Sequence, residues 1–323
     1  MKQLNLNNEK DSKEFYESRY SKNYMDDWPI EEKLRIIEII KLLNFPEKGQ
    51  ALDFGCGQGI FSDVLKHVLP NWTICGCDIS ETAIQIASKR FPKCKFFTNN
   101  DQKYALKKFD FVFTHHVLEH VFNIKDLVNQ INGRLKEKSS MLHIFPCGNP
   151  DSYEYKLCAL RSDGINVNRE NRFYYEDEGH VRRLTTNQCE ILFKEFNYTL
   201  KHDYYCYQHF GAINWISLSH PVLILKMFNP IKGKDVKAKF TLTLLLIKML
   251  FVSAVRILAK EYKRSASFFT YLFYLPSKLF IPFDNYFTRK ALNEWNKSKT
   301  KKNGSEMYLF FVRQNNLLQP SKN

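Results

Sequence analysis

The stretch Gln50-Ala-Leu-Asp-Phe-Gly-Cys-Gly-Gln-Gly-Ile-Phe61 constrains the fold of this chain more than any other. A short apolar run meets an acid there, Asp53, and three glycines follow at alternate positions, Gly55, Gly57 and Gly59. Glycine is required where the backbone takes a positive φ angle or passes within contact distance of a ligand, because it carries no Cβ. The pattern therefore predicts a buried strand, a tight turn and the start of a helix, with a ligand over the turn.

The spacing of the glycines limits what that ligand can be. A dinucleotide fingerprint has its third glycine at the position that Ile60 occupies, and the Gly-Lys-Ser/Thr of a phosphate-binding P-loop does not follow here. Because no motif for pyrophosphate is present, the turn favours a nucleoside whose non-phosphate tail lies over the glycines.

Three further stretches follow this turn in the order that one protein family shows. They are Trp72-Thr-Ile-Cys-Gly-Cys-Asp78, Phe96-Phe-Thr-Asn-Asn-Asp101 and Phe109-Asp-Phe-Val-Phe-Thr-His-His-Val-Leu-Glu-His-Val121. The ordered set resembles the class I S-adenosylmethionine-dependent methyltransferases, in the wording common among ubiquinone-type and small-molecule O-methyltransferases. The resemblance implies S-adenosylmethionine as cofactor and methyl transfer as the activity.

The resemblance also implies a role for individual residues. The acid about twenty residues past the glycines binds the ribose hydroxyls in such folds, which makes Asp78 the ribose residue. The loop after the third strand lies beside the adenine, and the three glycines lie under the methionine part. The candidate cofactor-binding residues are Asp53, Gly55, Cys56, Gly57, Gly59, Asp78, Ile79, Asn100, Asp101 and His115.

A hydroxyl acceptor would require a base to remove its proton, and histidine has a suitable pKa. The candidates for polar groups at the acceptor are His116, Glu119, His120, Glu178 and His180. His180 leads, since in the resembling family a His-Val-Arg followed by a threonine-capped helix lies beside the acceptor. The alternative for His180 is a solvated loop histidine.

On a helix, His116, Glu119 and His120 would share one face at positions i, i+3 and i+4. That face has three readings: a general base, a divalent-cation site, or capping and packing beneath the fourth strand. The resembling ubiquinone-type enzymes have a carboxylate at the position of His116, so the sequence predicts no metal.

From Gln50 onward, strand and helix patterns alternate, which predicts a parallel sheet covered by helices on both faces. The predicted fold class is α/β, a Rossmann-like seven-stranded sheet whose last strand is antiparallel, with a large, mostly helical insertion before that strand. Strands are predicted near 50–54, 72–77, 94–98, 109–114, 140–145, 197–207 and 306–313. Helices are predicted near 59–69, 80–91, 123–136 and 185–196.

Four segments are predicted along the chain. They are an N-terminal helical cap at 1–48, the cofactor-binding core at 49–207, a basic hydrophobic insertion at 208–304 and the final strand at 305–315. In the resembling family such a cap covers the cofactor, and Tyr16, Tyr20, Tyr24 and Trp28 are candidates for that contact. Simple packing of these aromatic residues is the alternative.

The net charge of +14 is concentrated in the insertion. Residues 1–207 hold 29 Lys and Arg against 29 Asp and Glu, whereas residues 208–304 hold 17 against 4, a net charge of +13. The same segment holds three apolar stretches, at 210–228, 240–258 and 268–287, each interrupted by proline or by a cation. These features predict helices that lie on an anionic membrane surface rather than cross it. Core helices of an ordinary lid are the alternative.

Two other function classes remain open at this point. A nucleic-acid methyltransferase, for example of tRNA, would explain the basic charge, but no Asn/Asp-Pro-Pro-Tyr type signature is present. A non-catalytic membrane scaffold that binds S-adenosylmethionine is the third class. The eight scattered cysteines are typical of reduced thiols, and residues 1–8 show no targeting peptide, so a cytoplasmic protein at the inner face of the membrane is expected. A small-molecule or lipid-borne acceptor is the expected partner.

Overall fold

The computed structural model of the chain describes residues 9–22, 24–264 and 267–314. Residues 1–8, where the sequence predicts the start of the cap and no targeting peptide, lie outside the described residues. Residue 315, the last of the predicted final segment, also lies outside them.

Strands and helices alternate through the first half of the chain, as predicted. The strands are β1 Gln50–Phe54, β2 Thr73–Asp78, β3 Lys95–Thr98, β4 Phe109–His115, β5 Leu135–Pro146, β6 Ile165–Asn166, β7 Arg172–Phe173, β8 Tyr198–Cys206 and β9 Glu306–Arg313. The helices are α1 Glu9–Tyr20, α2 Ile30–Leu42, α3 Ile60–Val68, α4 Glu81–Arg90, α5 Ile124–Gly133, α6 Tyr153–Ala159, α7 Thr186–Lys194, α8 Phe210–Ser217, α9 Pro221–Met227, α10 Val236–Arg264, α11 Phe268–Tyr274 and α12 Ile281–Ser298.

Seven strands form one sheet in the order β3-β2-β1-β4-β5-β9-β8. β1 pairs in parallel with β2 and with β4, β2 with β3, and β4 with β5. The last strand, β9, is antiparallel, and the helical insertion precedes it. The predicted fold class is therefore confirmed. Leu52, Val112 and Leu142 are fully buried in the central strands, because helices cover both faces of such a sheet.

The strand order places a crevice at the carboxyl ends of β1 and β4. The chain runs outward from β1 to β2 and β3, and then returns to the other side of β1 to form β4. At such a switch point the loops after the two neighbouring strands diverge, and ligands of open α/β sheets bind in the space between them. The glycine turn after β1 and the histidines after β4 are therefore brought to one place.

One boundary differs from its prediction. The sequence predicts a helix to residue 136, but α5 ends at Gly133 and β5 begins at Leu135, five residues before the predicted strand. Leu135–Ser139 is Leu-Lys-Glu-Lys-Ser, whose charged residues favour helix by composition. Leu135 pairs with Phe109 of β4, and this pairing makes the segment a strand. The register of the two strands shifts between Phe109 and Phe111.

The chain divides into two compact units. The first comprises residues 1–145, 187–202 and 308–323, and the second comprises residues 146–186 and 203–307. The second unit thus combines the predicted insertion with the segment after β5, which the sequence groups with the sheet. Its apolar core joins α6, α8, α9, α10 and α12 through residues such as Ile216, Met227, Leu242, Val252 and Phe287.

The 29-residue helix α10 is the longest element of the second unit. Among the described residues it is the one helix long and apolar enough to cross a membrane by length and composition, and 39% of its most apolar window is buried. Arg256 is one of the cations that argue against a membrane-crossing helix in the sequence. Its side chain is itself buried. Its guanidinium donates to Asp284 Oδ1 of α12 at 2.9 Å and to Ser217 Oγ of α8 at 2.8 Å.

Candidate active site

The turn after β1 has the backbone that its glycines predict. Gly55, Gly57 and Gly59 have φ angles of 76°, 49° and 81°, in the left-handed region. A Cβ on Gly57 would lie 2.7 Å from Tyr20 Oη, and one on Gly55 would lie 2.5 Å from Val117 Cγ2. Both conformation and space therefore require glycine at these positions.

Asp78, the last residue of β2, organises this turn. Its Oδ2 accepts a hydrogen bond from the Gly57 N–H at 2.8 Å, and its Oδ1 accepts one from the Ser80 N–H at 2.9 Å. Burial raises the pKa of Asp78, against the lowering effect of these backbone N–H donors. Each carboxylate oxygen can accept more than one hydrogen bond, so Asp78 can also hold the hydroxyls of a ligand.

Asp53 is a second buried carboxyl beside the turn. It accepts a hydrogen bond from Ser62 Oγ at 2.7 Å, and burial raises its pKa to about 7. The neighbouring charge of Asp78 raises this pKa further, while the hydrogen bond from Ser62 lowers it. A cationic ligand in the same place would favour the ionised form of Asp53, since opposite charges stabilise each other.

These residues line a cavity of about 420 Å³ in the first unit. The residues from the sheet and its turns are Asp53, Phe54, Gly55, Cys56, Gly57, Asp78, Ile79, Asn99, His115, His116, Val117 and His120. The N-terminal segment contributes Ser12, Tyr16, Tyr20, Tyr24, Met25 and Trp28, and α5 contributes Asp126, Leu127 and Gln130. The four aromatic residues proposed for the cap thus line the cavity. The three tyrosines also pack on one another, with ring centroids of Tyr20 and Tyr24 5.8 Å apart, whereas Trp28 packs on His115 and His116.

Three predicted cofactor residues do not line this cavity. Gly59 is the N-cap of α3, and a Cβ there would lie 2.8 Å from the Phe96 ring. Asn100 is exposed, and Asp101 caps the following 3₁₀ turn, its Oδ1 accepting from the Lys103 N–H at 2.9 Å. Asn99 lines the cavity in their place, one residue earlier than the sequence predicts.

His116, Glu119 and His120 lie together, but not on the predicted helix. Only Leu118–His120 forms a 3₁₀ turn, and His116 has a φ angle of 54°, a strained value for a residue with a Cβ. His116 Nδ1 lies 2.7 Å from Oε1 of Glu119, whose carboxylate is buried, and His120 Nε2 lies 3.9 Å from the same oxygen. The strained backbone therefore brings His116 onto a buried carboxylate at the edge of the cavity.

Glu32 of α2 supports the neighbouring histidine, and the sequence analysis does not single it out. Its Oε1 accepts a hydrogen bond from Tyr308 Oη at 2.8 Å and lies 3.4 Å from His115 Nε2. Burial would raise the pKa of Glu32, but Arg35 and His115 hold it well below its usual range. His115 is thereby fixed with its ring 4.0 Å from that of Phe61 and 4.5 Å from that of Trp28.

His180 and Glu178 belong to the second unit. His180 lines a separate cavity of about 370 Å³, whereas Glu178 is exposed and does not line it. The other lining residues are Pro146, Glu154, Tyr175, Glu176, Asp177, Arg183, Tyr207, Trp215, Leu223, Ser305 and Glu306. Of the predicted acceptor residues, His116 and His120 therefore line the first cavity and His180 the second.

Comparison with known proteins identifies the family of this chain. A family model described as a methyltransferase domain matches residues 30–202, more than half of the chain. The chain belongs to this methyltransferase family. It is an S-adenosylmethionine-dependent methyltransferase.

Individual relatives are distant. Malonyl-[acyl-carrier protein] O-methyltransferase 2 of Ilyobacter polytropus is 27% identical over 183 residues, covering 53% of this chain and 68% of that protein. The plantazolicin methyltransferase BpumL, solved with a monoazolic desmethylPZN analogue and SAH, is 16% identical with a TM-score of 0.44, covering 94% of this chain and 90% of that chain. A TehB-like methyltransferase from Corynebacterium glutamicum is 15% identical with a TM-score of 0.39, covering 60% and 86%.

The first cavity suits S-adenosylmethionine. Gly55 and Gly57 let Val117 and Tyr20 lie against the turn, and Asp78 at the end of β2 can accept hydrogen bonds from the ribose hydroxyls. When bound, the cofactor supplies an electrophilic methyl group on a sulfonium. The chain itself has to hold this group, align an acceptor with it and exclude water.

Proposed function

We propose that this methyltransferase transfers the methyl group to an oxygen of a small or lipid-borne acceptor, with His116 as the general base. The observation that carries the proposal is the 2.7 Å contact between His116 Nδ1 and the buried Glu119 carboxylate, at a cavity that suits the cofactor. An ionised carboxylate accepts the Nδ1 proton of the ring, which leaves Nε2 as the atom that takes a proton from a hydroxyl. Glu119 then stabilises the imidazolium that forms.

The reaction needs little more than this from the protein. When bound, the cofactor would supply the methyl group, and His116 would take the proton of the acceptor hydroxyl as its oxygen is methylated. Aromatic residues at the cavity, among them Tyr20 and Trp28, would exclude water from the reacting atoms. The Ilyobacter relative is named as an O-methyltransferase, which agrees with the proposed accepting atom.

Methyl-labelled S-adenosylmethionine tests this proposal with cell fractions as acceptors. We expect label in the lipid or small-molecule fraction, as a methyl ether, and none in tRNA or DNA. Label on nitrogen or carbon would contradict the proposed oxygen acceptor, and label in nucleic acid would favour the nucleic-acid class.

We also propose that the second unit docks on the anionic inner face of the cytoplasmic membrane. An apolar stripe on α10 supports this, with exposed residues at helical spacings of three and four. It comprises Phe240 (65% exposed), Leu244 (53%), Ile247 (62%), Phe251 (63%) and Leu258 (37%). Exposed lysines, Lys237, Lys239 and Lys248, lie on the same helix.

The charge of the segment favours a membrane over a second copy of the chain as the occupant of this stripe. Association of two copies through α10 would bring together two segments that each carry a net charge of +13. An anionic surface instead attracts each nearby lysine by about 1 kcal/mol. The apolar stripe and the lysines then act together, as in other helices that lie in the membrane interface.

Sedimentation with vesicles tests the docking. The protein should bind vesicles containing phosphatidylserine more strongly than neutral vesicles, and binding should weaken as salt rises, because salt screens charge. Phe251→Glu should lower binding several-fold, whereas Leu106→Glu, at an exposed leucine of the first unit, should not.

Three outcomes would overturn or change this assignment. Failure to bind either kind of vesicle would refute docking. Formation of a dimer that Phe251→Glu dissolves would mean that a second copy covers the stripe. Retention in the membrane through carbonate extraction would mean that α10 crosses the bilayer.

A further inference from the structure

The cavity of the second unit contains a charged pair, Glu176 and Arg183, in which one polar atom of each side chain makes no hydrogen bond to any described residue. Glu176 Oε1 and Arg183 Nε lie 3.5 Å apart on its wall, and both side chains are only 4% exposed. Among the described residues neither atom makes a hydrogen bond, although both are buried. A buried donor and a buried acceptor without partners cost free energy, so their persistence side by side points to a ligand.

The rest of each side chain is firmly held. Glu176 Oε2 accepts from the Phe173 N–H at 2.9 Å, and Arg183 Nη2 donates to Glu154 Oε2 at 2.9 Å and to the Ser305 carbonyl at 3.0 Å. The two atoms that lack hydrogen bonds are therefore not loose ends of mobile side chains. They face each other at a fixed distance, slightly too long for a hydrogen bond between them.

A hydroxyl is a chemical group that satisfies both atoms. Its oxygen accepts from Arg183 Nε while its hydrogen is donated to Glu176 Oε1, and an oxygen about 2.8 Å from each atom fits beside a pair 3.5 Å apart. An ammonium group cannot accept a hydrogen bond, so it would leave Arg183 Nε without a partner. An anionic ligand would meet Glu154, Glu176, Asp177 and Glu306 on the same wall.

The remaining wall indicates what carries the hydroxyl. Tyr175, Tyr207 and Trp215 present aromatic surface to the cavity, and Leu223 adds aliphatic surface. The volume of about 370 Å³ falls in the range of small-molecule sites. Aromatic faces beside carboxylates match a ring that has apolar C–H faces and hydroxyls at its edge.

We propose that the second unit binds a polyhydroxylated ring, a sugar or cyclitol, through a hydroxyl that bridges Glu176 Oε1 and Arg183 Nε. That such a ring is the methyl acceptor, or part of a lipid-borne one, rests on the proposed function. The binding of the ring in this cavity is independent of the proposed function.

Saturation-transfer NMR on the full chain, without cofactor, tests the binding. The probes are the methyl glycosides of glucose, galactose, mannose and fucose, together with N-acetylglucosamine and myo-inositol, and cyclohexanol is the single-hydroxyl control. At least one probe should receive saturation from the protein, and cyclohexanol should receive none. Glu176→Gln should weaken that binding tenfold or more, since the remaining oxygen stays with the Phe173 N–H and the amide nitrogen faces Arg183.

Two further variants keep the experiment decisive. Glu178→Gln, two residues away and exposed, removes the same charge and should bind like the wild type. Leu223→Trp fills the cavity and should abolish binding even if Glu176→Gln does not fold. Absence of binding by every probe, or equal binding by folded Glu176→Gln, would overturn the proposal. The transfer assay with methyl-labelled S-adenosylmethionine, run separately, shows whether the proposed function fails with it.

Discussion

Replacing His116 with alanine is expected to lower kcat for methyl transfer by about 10²- to 10⁴-fold, the usual contribution of a general base. His116 is the histidine whose Nδ1 contacts the buried Glu119 carboxylate at 2.7 Å. The affinity for S-adenosylmethionine should change little, because the base acts on the acceptor. Turnover with saturating cofactor and calorimetric cofactor binding, measured on the same preparation, separate the two effects.

His120→Ala is the matched control for this variant. His120 lines the same cavity but lies 3.9 Å from Glu119 Oε1, too far for a hydrogen bond, so its loss should cost less turnover. Glu119→Gln should give an intermediate loss, since an amide cannot stabilise the imidazolium. Full activity of His116→Ala would refute the assignment, and a loss confined to His180→Ala would transfer the role to His180.

Replacing Asp78 with alanine is expected to weaken S-adenosylmethionine binding by about 10²-fold or more. Two hydrogen bonds from ribose hydroxyls to a charged carboxylate are lost, each worth about 1.5–3 kcal/mol. The Gly57 and Ser80 N–H groups also lose the acceptor that holds the turn in place. Isothermal calorimetry measures the affinity directly.

Asp101→Ala provides the comparison, because Asp101 caps a neighbouring 3₁₀ turn and does not line the cavity. Its affinity should remain within a few-fold of the wild type, with at most a small loss of stability. Unchanged affinity in Asp78→Ala would show that the carboxylate at the end of β2 does not hold the ribose.

The glycine turn could be predicted from sequence because its determinants are local. Gly55 and Gly57 indicate a backbone conformation that other residues rarely adopt. The apolar strand before them indicates that the turn lies at the carboxyl end of a buried strand. The parallel pairing of the first five strands follows from the alternation of strands and helices. Asp78 could be found because its distance from the glycines along the chain is nearly constant in such folds.

The polar contacts around the histidines could not be predicted, since they depend on residues far apart in sequence. Glu32 is a charged residue in an amphipathic helix, and it becomes a buried acceptor through residues far along the chain, among them Tyr308, 276 residues later. His116 leaves the helical pattern because its positive φ angle is imposed by the surrounding structure. In the loop after β3, Asn99 rather than Asn100 lines the cavity. Sequence patterns in loops do not distinguish between two neighbouring residues.

The sequence predicts that residues 208–304 of the second unit are helical and basic, but it does not predict the interior of this unit. Glu176 and Arg183 lie in a charged stretch that looks solvated in the sequence, and their burial results from packing around Glu154 and Ser305. The sequence singles out His180 in this stretch and passes over the pair beside it. Charge and hydropathy predict which segments lie at a surface, but not which charges a fold encloses.

The buried pair of Arg256 and Asp284 has a consequence for the synthesis of the chain on the ribosome. Arg256 emerges after its partners Asn214 and Ser217 but 28 residues before Asp284. At about 5–20 residues per second, this gap lasts about 1.5–6 s. During that time the apolar helix α10 is complete up to its arginine, while the carboxylate that neutralises the arginine does not yet exist. The second unit therefore closes late, when α12 arrives, and until then the nascent chain carries its longest helix with α8 and α9 but without α12.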